Sequence, residues 1–193
     1  MRRLERLTRI LLRALRFDGG GRDALESVGE DEWEPLLAIA DEARLTLPLG
    51  VRREDLLPER VRGRIRRNLA DNGWRFENSV AAHREIANTF DRSGVPFVVL
   101  KGLTHFPFFC DDLRFRQQYD IDLYCPAASI EAARVTLGEL GYEPVPRGGE
   151  PRTDHLPTLV RKTGWRWRGD YYDPAMPLNV ELHFRFWDSG MEG

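Results

Sequence analysis

The chain has 193 residues, 41% of them hydrophobic, with 29 Lys and Arg against 31 Asp and Glu for a formal charge of −2. That length supports a hydrophobic core without disulfide or metal staples, and that charge balance gives no overall attraction to a polyanion, so a long nucleic-acid substrate is not expected. No apolar run reaches the length of a membrane span, and Arg9, Arg13 and Arg16 interrupt Ile10-Leu11-Leu12, which denies the first residues a signal-peptide core.

Residues 1–93 read as a helical region. Leu4, Leu7, Leu11 and Leu15 recur at helical core spacing and predict a bundle helix ended by Asp18-Gly19-Gly20-Gly21; an Arg-rich start also fits a transit peptide or an interfacial helix. A second helix is expected over 31–46, with Leu36, Leu37, Ile39, Ala40 and Ala43 inside and Pro48-Leu49-Gly50 closing it. A third is expected over 58–77, and a fourth over 78–91 that stops at Ser93-Gly94. The basic stretch from Arg60 to Arg67 is either a solvated helix face or a set of phosphate contacts.

From residue 94 to 193 the pattern changes to strands, turns and one helix, so the expected class is α+β, a helical first half followed by a mixed sheet. Val95-Pro96-Phe97-Val98-Val99-Leu100 predicts a buried strand that ends at Lys101-Gly102. The following segment is irregular or starts a helix near Pro107. Tyr119 to Tyr124 alternates as a strand. Ser129 is placed to cap a helix over 130–140 that Gly141 ends, and further strands are expected over 142–145, 156–161, 165–172 and 178–186. In Trp165-Arg166-Trp167-Arg168 the alternation fits two packed tryptophans beside two wet arginines, or a surface that stacks a base and holds phosphate. Cys110 and Cys125, the only cysteines, have no neighbours at zinc-ligand spacing and read as reduced structural thiols of a cytoplasmic protein.

The chemistry concentrates in three places. On a strand, Asp120 and Asp122 share one face about 7 Å apart while Tyr119, Ile121 and Leu123 face the other way. Two anionic oxygen donors so spaced can share hard divalent cations such as Mg²⁺. In Leu178 to Phe184 the same alternation puts Asn179, Glu181 and His183 opposite Val180, Leu182 and Phe184, which makes Glu181 a third carboxylate; His183 can orient it, meet substrate or be a hydrogen-bonded structural residue. Gly102, lacking a Cβ, lets a phosphate approach its amide, and Lys101 supplies a mobile positive charge. Three convergent carboxylates repel one another unless a metal or an arginine lies among them.

Taken in order, Leu100-Lys101-Gly102, Arg116, Asp120-Ile121-Asp122-Leu123, Gly141-Tyr142 and Glu181-Leu182-His183 resemble a family of uncharacterised bacterial nucleotidyltransferases within the polymerase-β-like superfamily. The resemblance spans about residues 68–187. It implies an enzyme that moves a nucleoside monophosphate from an NTP to a hydroxyl of a small-molecule or protein acceptor. Asp120, Asp122 and Glu181 would hold Mg²⁺ (or Mn²⁺), and Lys101, Gly102 and Arg116 would bind the triphosphate. Arg116 can instead pair with the carboxylates. The family core is often followed by a further helical region, so such a region or a partner subunit is expected beyond this sequence. Two other readings are a catalytically degenerate member that binds nucleotide or a partner, and an RNA-binding or RNA-tailing protein using the basic helices and the Trp-Arg segment.

Overall fold

The computed structural model describes residues 2–145 and 154–187. Two compact units divide the chain, one of Met1–Trp74 with Arg114–Gln117 and Tyr171–Asp173, the other of Arg75–Leu113, Gln118–Asp170 and Pro174–Gly193.

The first unit is helical, with α1 (Arg2–Ala14), α2 (Arg22–Glu26), α3 (Trp33–Glu42), α4 (Thr46–Arg53) and the opening turns of α5 (Glu59–Ser93). Its core gathers Leu7, Ile10, Leu11 and Ala14 of α1, Trp33, Leu36, Leu37 and Ala40 of α3, Leu49 of α4, and Val61 and Ile65 of α5. The i, i+3, i+4, i+7 stripe on α1 is thus Leu7-Ile10-Leu11-Ala14, whereas Leu4, one turn earlier, is 56% exposed. Ala43 is exposed, and the helix expected over 31–46 ends at Glu42. Pro48 closes nothing. It lies in the first turn of α4, where its missing N–H has no intrahelical partner to lose. The arginines of 60–67 are largely matched to acids of the same unit: Arg60 to Glu30, Arg62 to Glu59, Arg64 to Glu34 and Asp41, and Arg66 to Glu54. The solvated-face reading accounts for them.

The helices expected over 58–77 and 78–91 are one 35-residue helix, because neither proline nor a helix-ending turn interrupts the sequence near Asn78. Its later turns belong to the second unit. There a five-stranded mixed sheet runs β1 (Val98–Leu100), β2 (Asp120–Tyr124), β5 (Asn179–His183), β4 (Leu159–Arg161), β3 (Tyr142–Pro144). The central pair, β2 and β5, is parallel, and the other pairings are antiparallel. One sheet face carries Ile121, Leu123, Val180 and Leu182, all buried against Ala133 and Leu137 of α6 (Ile130–Glu139) and Ile86 and Phe90 of α5. Each such side chain contributes about 1.5–3 kcal/mol by leaving water, and together they fix the register of the two central strands. Arg75 of α5 secures the entry to both: it donates to the carbonyls of Gln118 and Met176, just before β2 and β5, and its guanidinium lies over the Tyr119 ring.

Three local expectations fail in this unit. β1 is an edge strand, so Val98 is exposed instead of buried. Ser129 stands at the start of α6 but its hydroxyl makes no capping hydrogen bond; Gly141, at φ 83°, does end the helix. Residues 165–172 form no strand. Gly164 and Gly169 bracket the Trp-Arg segment with positive φ, and Trp165 and Trp167 meet edge to face with Trp167 half exposed. The expectation of two packed tryptophans is therefore wrong, because alternation provides a face but not a neighbouring strand to bond to.

Candidate active site

The face of β2 and β5 opposite the core carries Asp120, Asp122 and Tyr124 beside Asn179, Glu181 and His183. In the parallel register Asp120 stands across from Asn179, Asp122 from Glu181, and Tyr124 from His183. Asp122 and Glu181 are thereby neighbours on adjacent strands, about 4.8 Å apart by the sheet spacing. One donor atom from each of Asp122, Glu181 and His183 falls within 4.8 Å of the other two. These three could hold a divalent cation. Asp120 lies one pleat back along β2, half-buried.

Asp122 is the centre of the cluster and is 3% exposed. Lys101 Nζ donates to its Oδ1 at 2.9 Å, and His183 Nε2 lies 3.1 Å from the same oxygen. Burial alone would push the Asp122 pKa up, but the hydrogen bonds from His183 and Lys101, with the Lys101 charge, outweigh it and hold the carboxyl below its ordinary range. Burial likewise works against the Lys101 ammonium. The hydrogen bond and charge of Asp122, then the charges of Asp120 and Glu181, more than offset it, so the Lys101 pKa is raised. All three carboxylates thus act on one lysine.

Lys101 and Gly102 form a strained turn at the end of β1, with φ of 51° and 50°. Left-handed backbone is costly for lysine and free for glycine. A Cβ on Gly102 would also approach the Gln118 amide nitrogen to 2.4 Å, while that amide donates to the Asp120 carbonyl at 2.9 Å. The turn is therefore seated against the segment that leads into Asp120. No serine follows Gly102, and Thr104 Oγ1 returns to the Lys101 carbonyl.

Arg116 lies in the other compact unit, where its carbonyl accepts a hydrogen bond from Asn72 Nδ2 at 3.2 Å. Of the residues suggested by the sequence, Lys101, Asp122 and Glu181 are brought into one charged cluster with Asp120 beside it and Gly102 adjoining. His183, left between three roles by its sequence, sits against Asp122, with its Nε2 4.0 Å from Glu181.

Two supporting residues escaped sequence reasoning. Thr158 Oγ1 donates to Glu181 Oε1 at 3.1 Å, and Asp154 Oδ2 approaches His183 Nδ1 at 3.8 Å. Both come from the segment around β4, which pairs with β5 through Leu159 and Val180 and through a bridge between His155 and His183. The only signal for Thr158 was its place in an alternating strand beside apolar Leu159.

The model of a family described as uncharacterised nucleotidyltransferase matches residues 29–192. The chain belongs to that family. No curated protein and no solved structure matches it. Membership in a nucleotidyltransferase family makes nucleotidyl transfer the general chemistry, and the Asp122, Glu181 and His183 cluster supplies donors of the kind such chemistry uses. Among the described residues no helix is long and apolar enough to cross a membrane.

Proposed function

We propose that this nucleotidyltransferase-family protein transfers a nucleoside monophosphate from an NTP to a hydroxyl of a small-molecule or protein acceptor, with Asp120, Asp122 and Glu181 as the catalytic carboxylates. The observation that carries the reading is the parallel pairing of Asp122 with Glu181 on a core-backed sheet, beside the strained Lys101-Gly102 turn. The donor set fits a divalent cation: two carboxylates at one point offer the hard oxygens that Mg²⁺ and Mn²⁺ prefer, and the imidazole favours Mn²⁺ of the two. When bound, such an ion lowers the acceptor's pKa and stabilises charge on the phosphoryl oxygens and the departing pyrophosphate.

The chain's own groups divide the remaining work. Asp120 and Asp122 hold the nucleotide side of the site, and Lys101 and the Gly102 amide bind the phosphate tail. Lys101 is suited to move, because its side chain is 58% exposed while its partner Asp122 is not. It can turn its ammonium from Asp122 toward a β- or γ-phosphate as the carboxylate takes up its ligand. Glu181, held by Thr158, serves the acceptor side and accepts the hydroxyl proton. The acceptor oxygen then forms a bond to the α-phosphorus, the bond from that phosphorus to the oxygen bridging to the β-phosphate breaks, and pyrophosphate leaves with the electron pair.

The Lys101–Asp122 pair also favours a second reading, a degenerate member in which the lysine permanently fills the cation's place. A screen of the four NTPs for pyrophosphate release and for transfer of the α-phosphoryl label, with Mg²⁺ or Mn²⁺, separates the two. Divalent-dependent release supports the enzyme. Nucleotide binding without release under any of these conditions, in the presence of pooled hydroxyl acceptors, supports the degenerate member.

A further inference from the structure

Past Asp122 on the same sheet face, β2 ends at Tyr124, and the chain leaving β5 brings Phe186 over it. Their rings stack with centroids 4.7 Å apart and planes 11° from parallel, and Trp187 joins Phe186 at 6.2 Å. Phe186 is 65% exposed and Trp187 is 55% exposed. Large aromatic rings are normally drawn into a core, and an exposed ring stacked on a half-buried one next to polar catalytic groups is a ready surface for a flat ligand.

We propose that the Tyr124–Phe186 stack, flanked by Trp187, is the acceptor subsite, and that the acceptor carries its hydroxyl on an aromatic ring or close to one. The inference rests on the nucleotidyl-transfer reading and adds the direction of the reaction along the sheet. Gly102 sits at the Gln118–Asp120 end of β2, since a Cβ there would meet the Gln118 amide. Tyr124 is at the other end, with Asp122 and Glu181 between. If the phosphate tail lies at Lys101-Gly102, the leaving pyrophosphate departs toward that end. In-line displacement then requires the attacking hydroxyl to arrive from the opposite side, which is where the aromatic stack stands. Tyr124 is two residues from Asp122, about 7 Å along the strand, so the stack adjoins the carboxylates on the same sheet face. The nucleobase is the competing occupant. It is attached on the ribose side of the α-phosphate and has no in-line constraint placing it there.

The test uses the full chain with Mn²⁺ and four probes in ligand-observed NMR titrations: N-acetyltyrosinamide, its aliphatic counterpart N-acetylserinamide, NTPs, and inorganic tripolyphosphate. Wild type should bind N-acetyltyrosinamide and not N-acetylserinamide. Phe186→Ala, at an exposed position, should weaken N-acetyltyrosinamide binding by at least about fivefold, the lower range for loss of one stacking partner. Phe186→Tyr should restore it, and NTP affinity should be the same in all three proteins. Weakened NTP binding in Phe186→Ala with unchanged tripolyphosphate binding would assign the stack to the base and overturn the proposal. So would a wild type with no preference for the aromatic probe. Failure of the parent reading is distinct: wild type would then bind neither NTP nor tripolyphosphate, whatever it does with the aromatic alcohol.

Discussion

Replacing Asp122 with Asn separates the structural work of this carboxylate from its functional work, because the two have different magnitudes. Asn keeps an oxygen that can accept from Lys101 and His183 but removes the charge. Lys101 has most of its side chain in solvent, so its share of the pair is screened and contributes about 0–1 kcal/mol. The contact with His183 is buried, and weakening it costs about 1–2 kcal/mol. Neutralising the group also relieves its desolvation, which offsets part of that loss. Without divalent ions the variant should therefore be less stable than wild type by only about 1–2 kcal/mol in urea unfolding. Cation binding has no such compensation. Loss of one of two charged ligands should weaken Mn²⁺ by at least the 10–100-fold typical of merely supporting residues, read by the spin-resonance signal of free Mn²⁺. A stability loss above about 4 kcal/mol would mark Asp122 as one half of a structural buried ion pair, and an unchanged Mn²⁺ affinity would remove it from the metal site.

Glu181→Gln should largely keep divalent-dependent NTP binding and depress single-turnover transfer, since Glu181 is assigned to the acceptor side; normal transfer by the folded variant would remove it from the catalytic set. Gly102→Val should weaken triphosphate binding and also cost about 1–2 kcal/mol, because a side chain at φ 50° is strained and would displace the Gln118 amide; unchanged affinity in the folded variant would reduce the turn to structure. Because the folded-state pKa of Asp122 is lowered, its contribution to stability is present above the ordinary carboxylate value of 3.8 and is lost as pH falls through the lower folded value. Acid unfolding should accordingly be steeper in wild type than in Asp122→Asn, and superimposable profiles would contradict the favourable environment assigned to this group.

The site was legible where strand alternation coincided with charge. Tyr119 to Tyr124 and Leu178 to Phe184 each put apolar residues on one face and polar ones on the other, and burial of Ile121, Leu123, Val180 and Leu182 holds them so. What alternation could not supply was the partner. Trp165 to Tyr172 has the same look but pairs with no strand among the described residues, and Val98 belongs to an edge that sequence cannot distinguish from a centre. Helix ends were misread for a related reason: Pro48 stops a helix when interior and is harmless in its first turn, and only the location of Thr46 at a new helix start decides which. His183 gained its place from the register of β5 on β2 and Thr158 from that of β4 on β5, long-range pairings that local pattern does not encode.

On the proposed function, this carboxylate cluster binds a triphosphate through a divalent ion. Titrating each of the four NTPs into wild type and Asp122→Asn, with Mg²⁺ or Mn²⁺ and then with EDTA, tests it by calorimetry without knowledge of the acceptor. At least one NTP should bind wild type only when the divalent ion is present, and Asp122→Asn should abolish or severely weaken that binding. Binding that survives EDTA or the substitution, or the absence of binding by any NTP, would contradict it.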